Sequence, residues 1–166
     1  MKTVSPDIVA AAQAAQRATG VPASVSIGQF ALESGWGAHM PPGSFNPFGI
    51  KAAKGQPSVL VATHEFVAGR FVVVNAGFRK FASLAEAFAA HAELLAAAPV
   101  YAFAMTALPN VSLFVGRMAA HYATDPNYAK DLMGVITADQ LTRFDLPPLS
   151  AHPGESRGPG QVGAVA

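Results

Sequence analysis

Apolar residues recur along this chain at two different periods, and the switch between them marks out its parts. Over the first 35 positions the spacing is helical. Ser5-Pro6-Asp7 reads as an N-cap, a proline at the first helical position and an acid in the first turn, and Gly20 offers a left-handed stop, so a helix is predicted over 6–18. Pro22 starts a second helix in the same way. Ile27, Phe30 and Ala31 at i, i+3 and i+4 form its apolar face, and Gly35 ends it with Glu33 in the last turn. From Gly37 to Gln56, Pro41, Pro42, Gly43, Pro47, Gly49 and Gly55 are too dense for either element and predict loop. Then the period becomes two. Val59, Leu60, Val61, Thr63, Phe66 and Val67, followed after Ala68-Gly69-Arg70 by Phe71 to Val74 and Phe78 to Phe81, predict a hairpin. The helical period returns at the capping box Ser83-Leu84-Ala85-Glu86, which opens a helix to about residue 98. Asn110 caps a further helix to His121. Asp125-Pro126, as N-cap and first-position proline, opens one towards Ala138, and a short piece over 139–144 closes the fold. The expectation is an α+β fold, mainly α, with its strands confined to one hairpin.

Composition decides the number of domains and removes several function classes. At 166 residues, with 51% hydrophobic and 13% charged positions, the chain suits one compact domain with a sizeable core. That domain is expected over 1–145. Residues 146–166, LPPLSAHPGESRGPGQVGAVA, are rich in Pro, Gly and Ser without apolar periodicity, and predict a disordered tail. A formal charge of +1 with no basic block makes nucleic acid a poor partner. The absence of cysteine excludes disulfides, thiolate metal sites and a cysteine nucleophile. His39, His64, His91, His121 and His152 never pair at helical spacing, so neither a metal nor a cofactor is expected.

Residues 94–116 carry no formal charge over 23 positions, long enough to cross a hydrocarbon layer of about 30 Å. Pro99 and Pro109 break the stretch, which therefore reads as three helical pieces rather than one membrane span. At the start of the chain Pro6 and Asp7 precede any apolar run, and Gln13, Gln16 and Arg17 interrupt the alanine-rich run after them. No cleavable secretory signal is expected there.

Nucleotide-binding, serine-hydrolase and zinc-protease motifs are missing, since Gly35-Trp36-Gly37 does not extend to a dinucleotide fingerprint. Glu33 is the residue with chemical promise. A carboxylate in the last turn of a helix faces the negative end of the macrodipole, and Trp36 offers an apolar wall three residues on. Both effects penalise the charge, and an acid that keeps its proton near neutrality is what protonation of a glycosidic oxygen requires. The same residues fit equally a helix that merely ends on a Schellman glycine.

Five segments occur in a telling order: QFALESGWG at 29–37, NPFGIK at 46–51, Thr63-His64-Glu65, FRKFASLAEAFAAHAELL at 78–95 and HYATDPNYAKDL at 121–132. Together they resemble the glucosaminidase family of peptidoglycan hydrolases, glycoside hydrolase family 73. This lysozyme-like family includes flagellar muramidase-type domains, autolysins and phage endolysins. The resemblance covers roughly residues 5–145 and implies a lysozyme-like helical lobe, a small β-hairpin lobe and a glycan groove between them. It implies that Glu33 is the general acid, that Glu65 is a hairpin carboxylate able to activate water, and that Tyr128 lines the site and supports the intermediate or the sugar acetamido group. Trp36, Asn46 and Phe48 resemble groove residues, with Phe45 and Phe48 equally suited to a core. Tyr122 stands beside them at the site, with packing as its other reading. The implied substrate is the peptidoglycan glycan strand, cut as by an endo-β-N-acetylglucosaminidase, by a monomer acting at the cell wall, with a muramidase or lytic transglycosylase on the same glycan, or a non-catalytic wall-binding or assembly module, as the alternatives. Without a secretory signal, release as a phage product or export by a non-classical route is the expectation. Two departures from the family pattern, the proline-rich AHMPPGSF at 38–45 and Pro47 in place of a leucine-like residue, bear on the groove's shape.

Overall fold

The computed structural model describes residues 2–67 and 70–147, with the backbone alone at 63–67, 71 and 72. Its helices are α1 (Pro6–Thr19), α2 (Ala23–Ser34), α3 (Leu84–Ala97), the short α4 (Ala102–Met105), α5 (Val111–Tyr122) and α6 (Tyr128–Ala138). Two strands, β1 (Ser58–Val67) and β2 (Arg70–Arg79), pair antiparallel as a two-stranded sheet. The architecture is the mainly helical α+β fold with one β-hairpin.

The helical lobe is organised around α2. Every residue from Ala23 to Ala31 is buried, so α2 is covered all round rather than along one stripe. α1 packs on α2 and α3, and α6 packs on α2. Gly28 makes the last approach close, because a β-carbon there would lie 2.8 Å from Leu132 Cδ1 and 2.9 Å from Ile136 Cγ1. Both of those side chains are fully buried. The missing Cβ therefore sets the distance between α2 and α6, and with it the separation of Glu33 from Tyr128.

Most predicted helix ends hold. Gly20 and Gly35 take left-handed conformations as C-caps, and the Asn110 side chain accepts from Leu113 N at 2.9 Å. In the capping box Ser83 Oγ accepts from Glu86 N at 3.2 Å, while Glu86 Oε2 reaches one residue further back, to Ala82 N at 2.8 Å. Asp125 departs from expectation. Helix α6 starts at Tyr128, after Asn127, and the Asp125 carboxylate instead accepts from Asn127 N at 2.8 Å, closing a turn ahead of the helix. The second strand also differs, running unbroken from Arg70 to Arg79. Phe81, expected on the strand, lies beyond it as a core residue only 1% exposed.

The uncharged stretch breaks where its prolines sit. α3 stops at Ala97, a 3-10 turn covers Pro99–Tyr101, and α5 begins after Asn110. Among the described residues no single helix is long and apolar enough to cross a membrane. At the other end, Leu146 is tied to α1, since its N–H donates to Gln16 Oε1 at 2.9 Å and its carbonyl accepts from Gln16 Nε2 at 3.1 Å. Asp145 beside it accepts from Ser24 N and Ser24 Oγ, both at 2.7 Å. The rest of the expected tail, 148–166, and the hairpin turn at Ala68-Gly69 lie outside the described residues.

Candidate active site

Helix α2 ends in an elbow. Gly35, Trp36 and Gly37 take φ of 56°, 61° and 87° in succession, a left-handed run that turns the chain back on itself and is unfavourable for a residue with a bulky side chain. Ser34, fully buried, holds it. Its hydroxyl donates to Phe30 O at 2.6 Å and accepts from Gly37 N at 2.8 Å, and its carbonyl accepts from His39 N at 2.9 Å. The elbow fixes the last turn of α2, and Glu33 projects from it half-buried.

The chain's three tyrosines converge on that carboxyl. Tyr128, at the first turn of α6 and 95 residues away in sequence, donates its hydroxyl to Glu33 Oε1 at 2.7 Å. Gln29, fully buried one turn before Glu33 on α2, donates its side-chain N–H to the Tyr128 hydroxyl at 2.9 Å. Tyr122 stacks on Tyr128 with centroids 5.3 Å apart, and Tyr101 lies 6.5 Å from Tyr122. Behind them His91, fully buried, stacks on Phe48 at 4.0 Å and places Nε2 3.5 Å from the Tyr122 hydroxyl.

Burial in this aromatic setting raises the Glu33 pKa above the ordinary carboxylate value, while the Tyr128 and Tyr122 hydroxyls act in the opposite direction by favouring the ionised form. The direction agrees with the sequence reading, but tyrosines from the end of α5 and the start of α6 flank the carboxyl. Trp36 instead packs edge-on to Phe30 at 6.2 Å, with Lys2 Nζ 5.0 Å from its ring centre. The three tyrosine pKa values are all raised, first by burial and then by the neighbouring Glu33 charge. Their hydroxyls therefore keep their protons, and serve as donors, across the neutral range. His91 is pushed down to about 3 by burial and is a neutral imidazole.

Two expected groove residues turn out to be interior. Asn46 is 1% exposed and its amide is fully engaged: Nδ2 donates to Ile50 O at 2.8 Å and Arg79 O at 2.9 Å, and Oδ1 accepts from Ile50 N at 3.0 Å. It staples the 46–50 loop to the foot of β2 and has no group left for a sugar. Phe48, 5% exposed, packs against Phe88 and His91 rather than facing a groove. Phe45 is 47% exposed, with a left-handed φ of 48°. Trp36 is partly exposed and keeps surface for a ligand. Glu65 pairs with Val72 across the hairpin through the backbone, and its side chain lies outside the described residues. Sequence reasoning missed Gln29, His91 and Tyr101. The one available signal was the spacing of four that puts Gln29 on the same face of α2 as Glu33.

Among the described residues no group of three or more His, Cys, Asp or Glu is placed to hold a metal ion. A cavity of about 340 Å³, lined by residues including Arg17, Leu108, Val111 and Asp145, has none of the Glu33 cluster in its walls.

Known proteins share this arrangement of chain. An autolysin of Enterococcus faecalis is 34% identical over 157 residues, covering 89% of this chain and 21% of that protein. A protein named "Probable N-acetylmuramidase" from Lactococcus lactis subsp. lactis is 34% identical over 148 residues, covering 83% and 33%. The chain thus spans about a fifth to a third of these relatives. The solved structure of a C-terminally truncated glycoside hydrolase domain from Salmonella typhimurium FlgJ superposes with a TM-score of 0.67 at 34% identity, covering 81% of this chain and 96% of that one. The family model described as mannosyl-glycoprotein endo-β-N-acetylglucosaminidase matches residues 9–141, most of the helical lobe with its hairpin, and the chain belongs to this glucosaminidase family.

Proposed function

We propose that this chain hydrolyses the β-1,4-linked glycan strand of bacterial peptidoglycan, on the reducing side of N-acetylglucosamine, with Glu33 as the general acid. The observation that carries the reading is the Glu33 carboxyl itself, half-buried, raised in pKa, and held by a tyrosine proton on Oε1. Burial keeps the proton on the acid until a leaving oxygen needs it. The Tyr128 and Tyr122 hydroxyls then stabilise the carboxylate that transfer leaves behind, so the donor is neither too weak an acid nor a permanently ionised one. On the far side of the sugar ring the nucleophile is either water activated by Glu65 or the substrate's own acetamido oxygen. Trp36 offers a ring face for a sugar. The site of action is the cell wall, as the names of the relatives suggest. One relative's name favours a second reading, cleavage on the reducing side of N-acetylmuramic acid.

Replacing Glu33 by Gln keeps shape and hydrogen bonding but removes the proton. General acid catalysis is worth about 10²- to 10⁴-fold, so release of soluble fragments from purified peptidoglycan should fall by at least that factor. Reducing-end labelling with mass analysis then assigns the bond: N-acetylglucosamine ends support the first reading and N-acetylmuramic acid ends the second. Near-normal turnover by the folded Glu33→Gln variant would remove the mechanism.

A further inference from the structure

We propose that Gln29 is a positioning residue, which fixes the direction of the hydrogen-bond chain ending on Glu33 so that Tyr128 can only donate to that carboxyl. The inference rests on Glu33 acting as the acid. A tyrosine hydroxyl has one proton to give. Tyr128 lies 2.7 Å from Glu33 Oε1 and 2.9 Å from Gln29 Nε2, so an amide that donates to the phenol oxygen commits the phenol proton to Glu33. Gln29 and Glu33 are four residues apart on α2, on one face of one helix, and the spacing between amide, phenol and carboxyl is therefore built into a rigid element.

A purely structural role accounts poorly for this glutamine. It is fully buried, and its Oε1 has no hydrogen-bond partner among the described residues. A buried amide whose carbonyl goes unmet destabilises the core, and an apolar side chain of the same length would not. The one bond that its Nε2 makes among the described residues goes to the Tyr128 hydroxyl, which donates to Glu33. Losing that bond would free the Tyr128 hydroxyl to rotate, and the carboxylate formed on proton transfer would lose a fixed donor. The transition state suffers while substrate binding does not, which places the effect on kcat rather than KM.

The test is a double-mutant cycle of Gln29→Met and Tyr128→Phe, assayed on purified peptidoglycan fragments with thermal unfolding of every variant. Gln29→Met should lower kcat on the order of ten-fold at unchanged KM, as expected when a hydrogen bond supporting a charged group is lost. It should also move the alkaline limb of the kcat profile to higher pH, because a carboxylate deprived of a donor has a higher pKa. The double variant should be no worse than Tyr128→Phe alone, since Gln29 acts through that hydroxyl. Gln29→Glu keeps the side-chain shape, and once ionised it accepts the Tyr128 proton instead of donating, so its loss of activity should deepen as pH rises. A folded Gln29→Met or Gln29→Glu enzyme with full kcat and an unmoved alkaline limb, beside an impaired Tyr128→Phe, would overturn the inference while leaving Glu33 as the acid. Additive losses in the cycle would overturn it equally. Full activity in Glu33→Gln would instead remove the acid reading on which the inference stands.

Discussion

Gly28→Ala adds one methyl at the point where α2 and α6 come closest, and its effect can be worked from the contacts there. The new Cβ would meet Leu132 Cδ1 at 2.8 Å and Ile136 Cγ1 at 2.9 Å, both under the separation that real carbon atoms tolerate. Leu132 and Ile136 are 0% and 1% exposed, so neither can swing into solvent. Overpacking of this kind costs about 1–3 kcal/mol, against about 1 kcal/mol gained from replacing a helical glycine by alanine. The net expectation is about 1 kcal/mol of destabilisation, a fall in Tm of about 2–4 °C for a chain of this size. A functional effect follows from the geometry. Leu132 lies one turn after Tyr128 on α6, so a helix pushed outward carries the Tyr128 hydroxyl away from Glu33, from 2.7 Å towards distances at which hydrogen bonds fail. kcat should drop while KM holds. Gly134→Ala, on α6 with nothing within 4 Å of its added Cβ, is the control, and should gain about the full 1 kcal/mol of helix propensity. Thermal unfolding and fragment release on the two variants decide the matter. Equal stabilisation by both substitutions, with full activity in Gly28→Ala, would refute the argument that the bare backbone at Gly28 sets the Tyr128–Glu33 distance.

Further outcomes concern the titrating groups. Glu33 has a folded pKa above its unfolded value of 4.5, so its contribution to stability is complete below pH 4.5 and is lost as pH rises through the folded value. Glu33→Gln should therefore raise Tm at pH 7 and converge on the parent at pH 4, and a variant less stable at pH 7 would count against the buried acid. For His91 the sign is opposite: with a folded pKa of about 3 against 6.5 unfolded, its contribution is present above pH 6.5 and drains away as pH falls towards 3. Denaturant midpoints across that range should show a shallower acid decline in His91→Phe than in the parent, and parallel slopes would mean that the imidazole is not held neutral. For Glu65, held on a two-stranded hairpin, we expect assistance by the acetamido oxygen to dominate, because such hairpins are marginal platforms for a base. Glu65→Gln should retain substantial hydrolysis, and proton NMR of the first-formed product should show the β-anomer; an α-anomer with an inactive variant would reverse the assignment.

Local chemistry makes most of the fold legible in the amino-acid order. Helix ends written by Pro6, Gly20, Gly35, Ser83 and Asn110 depend on neighbours within a turn, and they appear where those residues stand. The misreadings arise where a competing local turn or a distant partner decides. Asp125 has the right identity for an N-cap, yet the chain closes a turn on it first and lets α6 begin at Tyr128. Phe81 continues an alternating run, yet the helical core takes it. Asn46 carries sugar-binding chemistry, yet three backbone groups at the foot of the hairpin use all of it.

Glu33 illustrates how a correct direction can come from the wrong neighbours. Trp36, as an apolar wall, and the negative end of the helix dipole are the influences visible within a few residues of Glu33 that penalise its charge, and they do predict a raised pKa. In the folded chain the cause is burial beside Tyr122 and Tyr128 from α5 and α6, which no spacing rule on α2 could supply. Those tyrosines oppose the shift they help to create, since their rings remove water while the Tyr128 hydroxyl donates to the carboxylate and the Tyr122 hydroxyl also favours its ionised form. An apolar wall such as tryptophan would only have raised the pKa. Hydroxyl-bearing walls set it between limits, and the general-acid role proposed for Glu33, which needs a proton held, released once and recovered, would benefit from both. The reach of α6 to Glu33 through Gly28, and the amide of Gln29 behind Tyr128, are the parts of the fold that make this balance specific to one carboxyl.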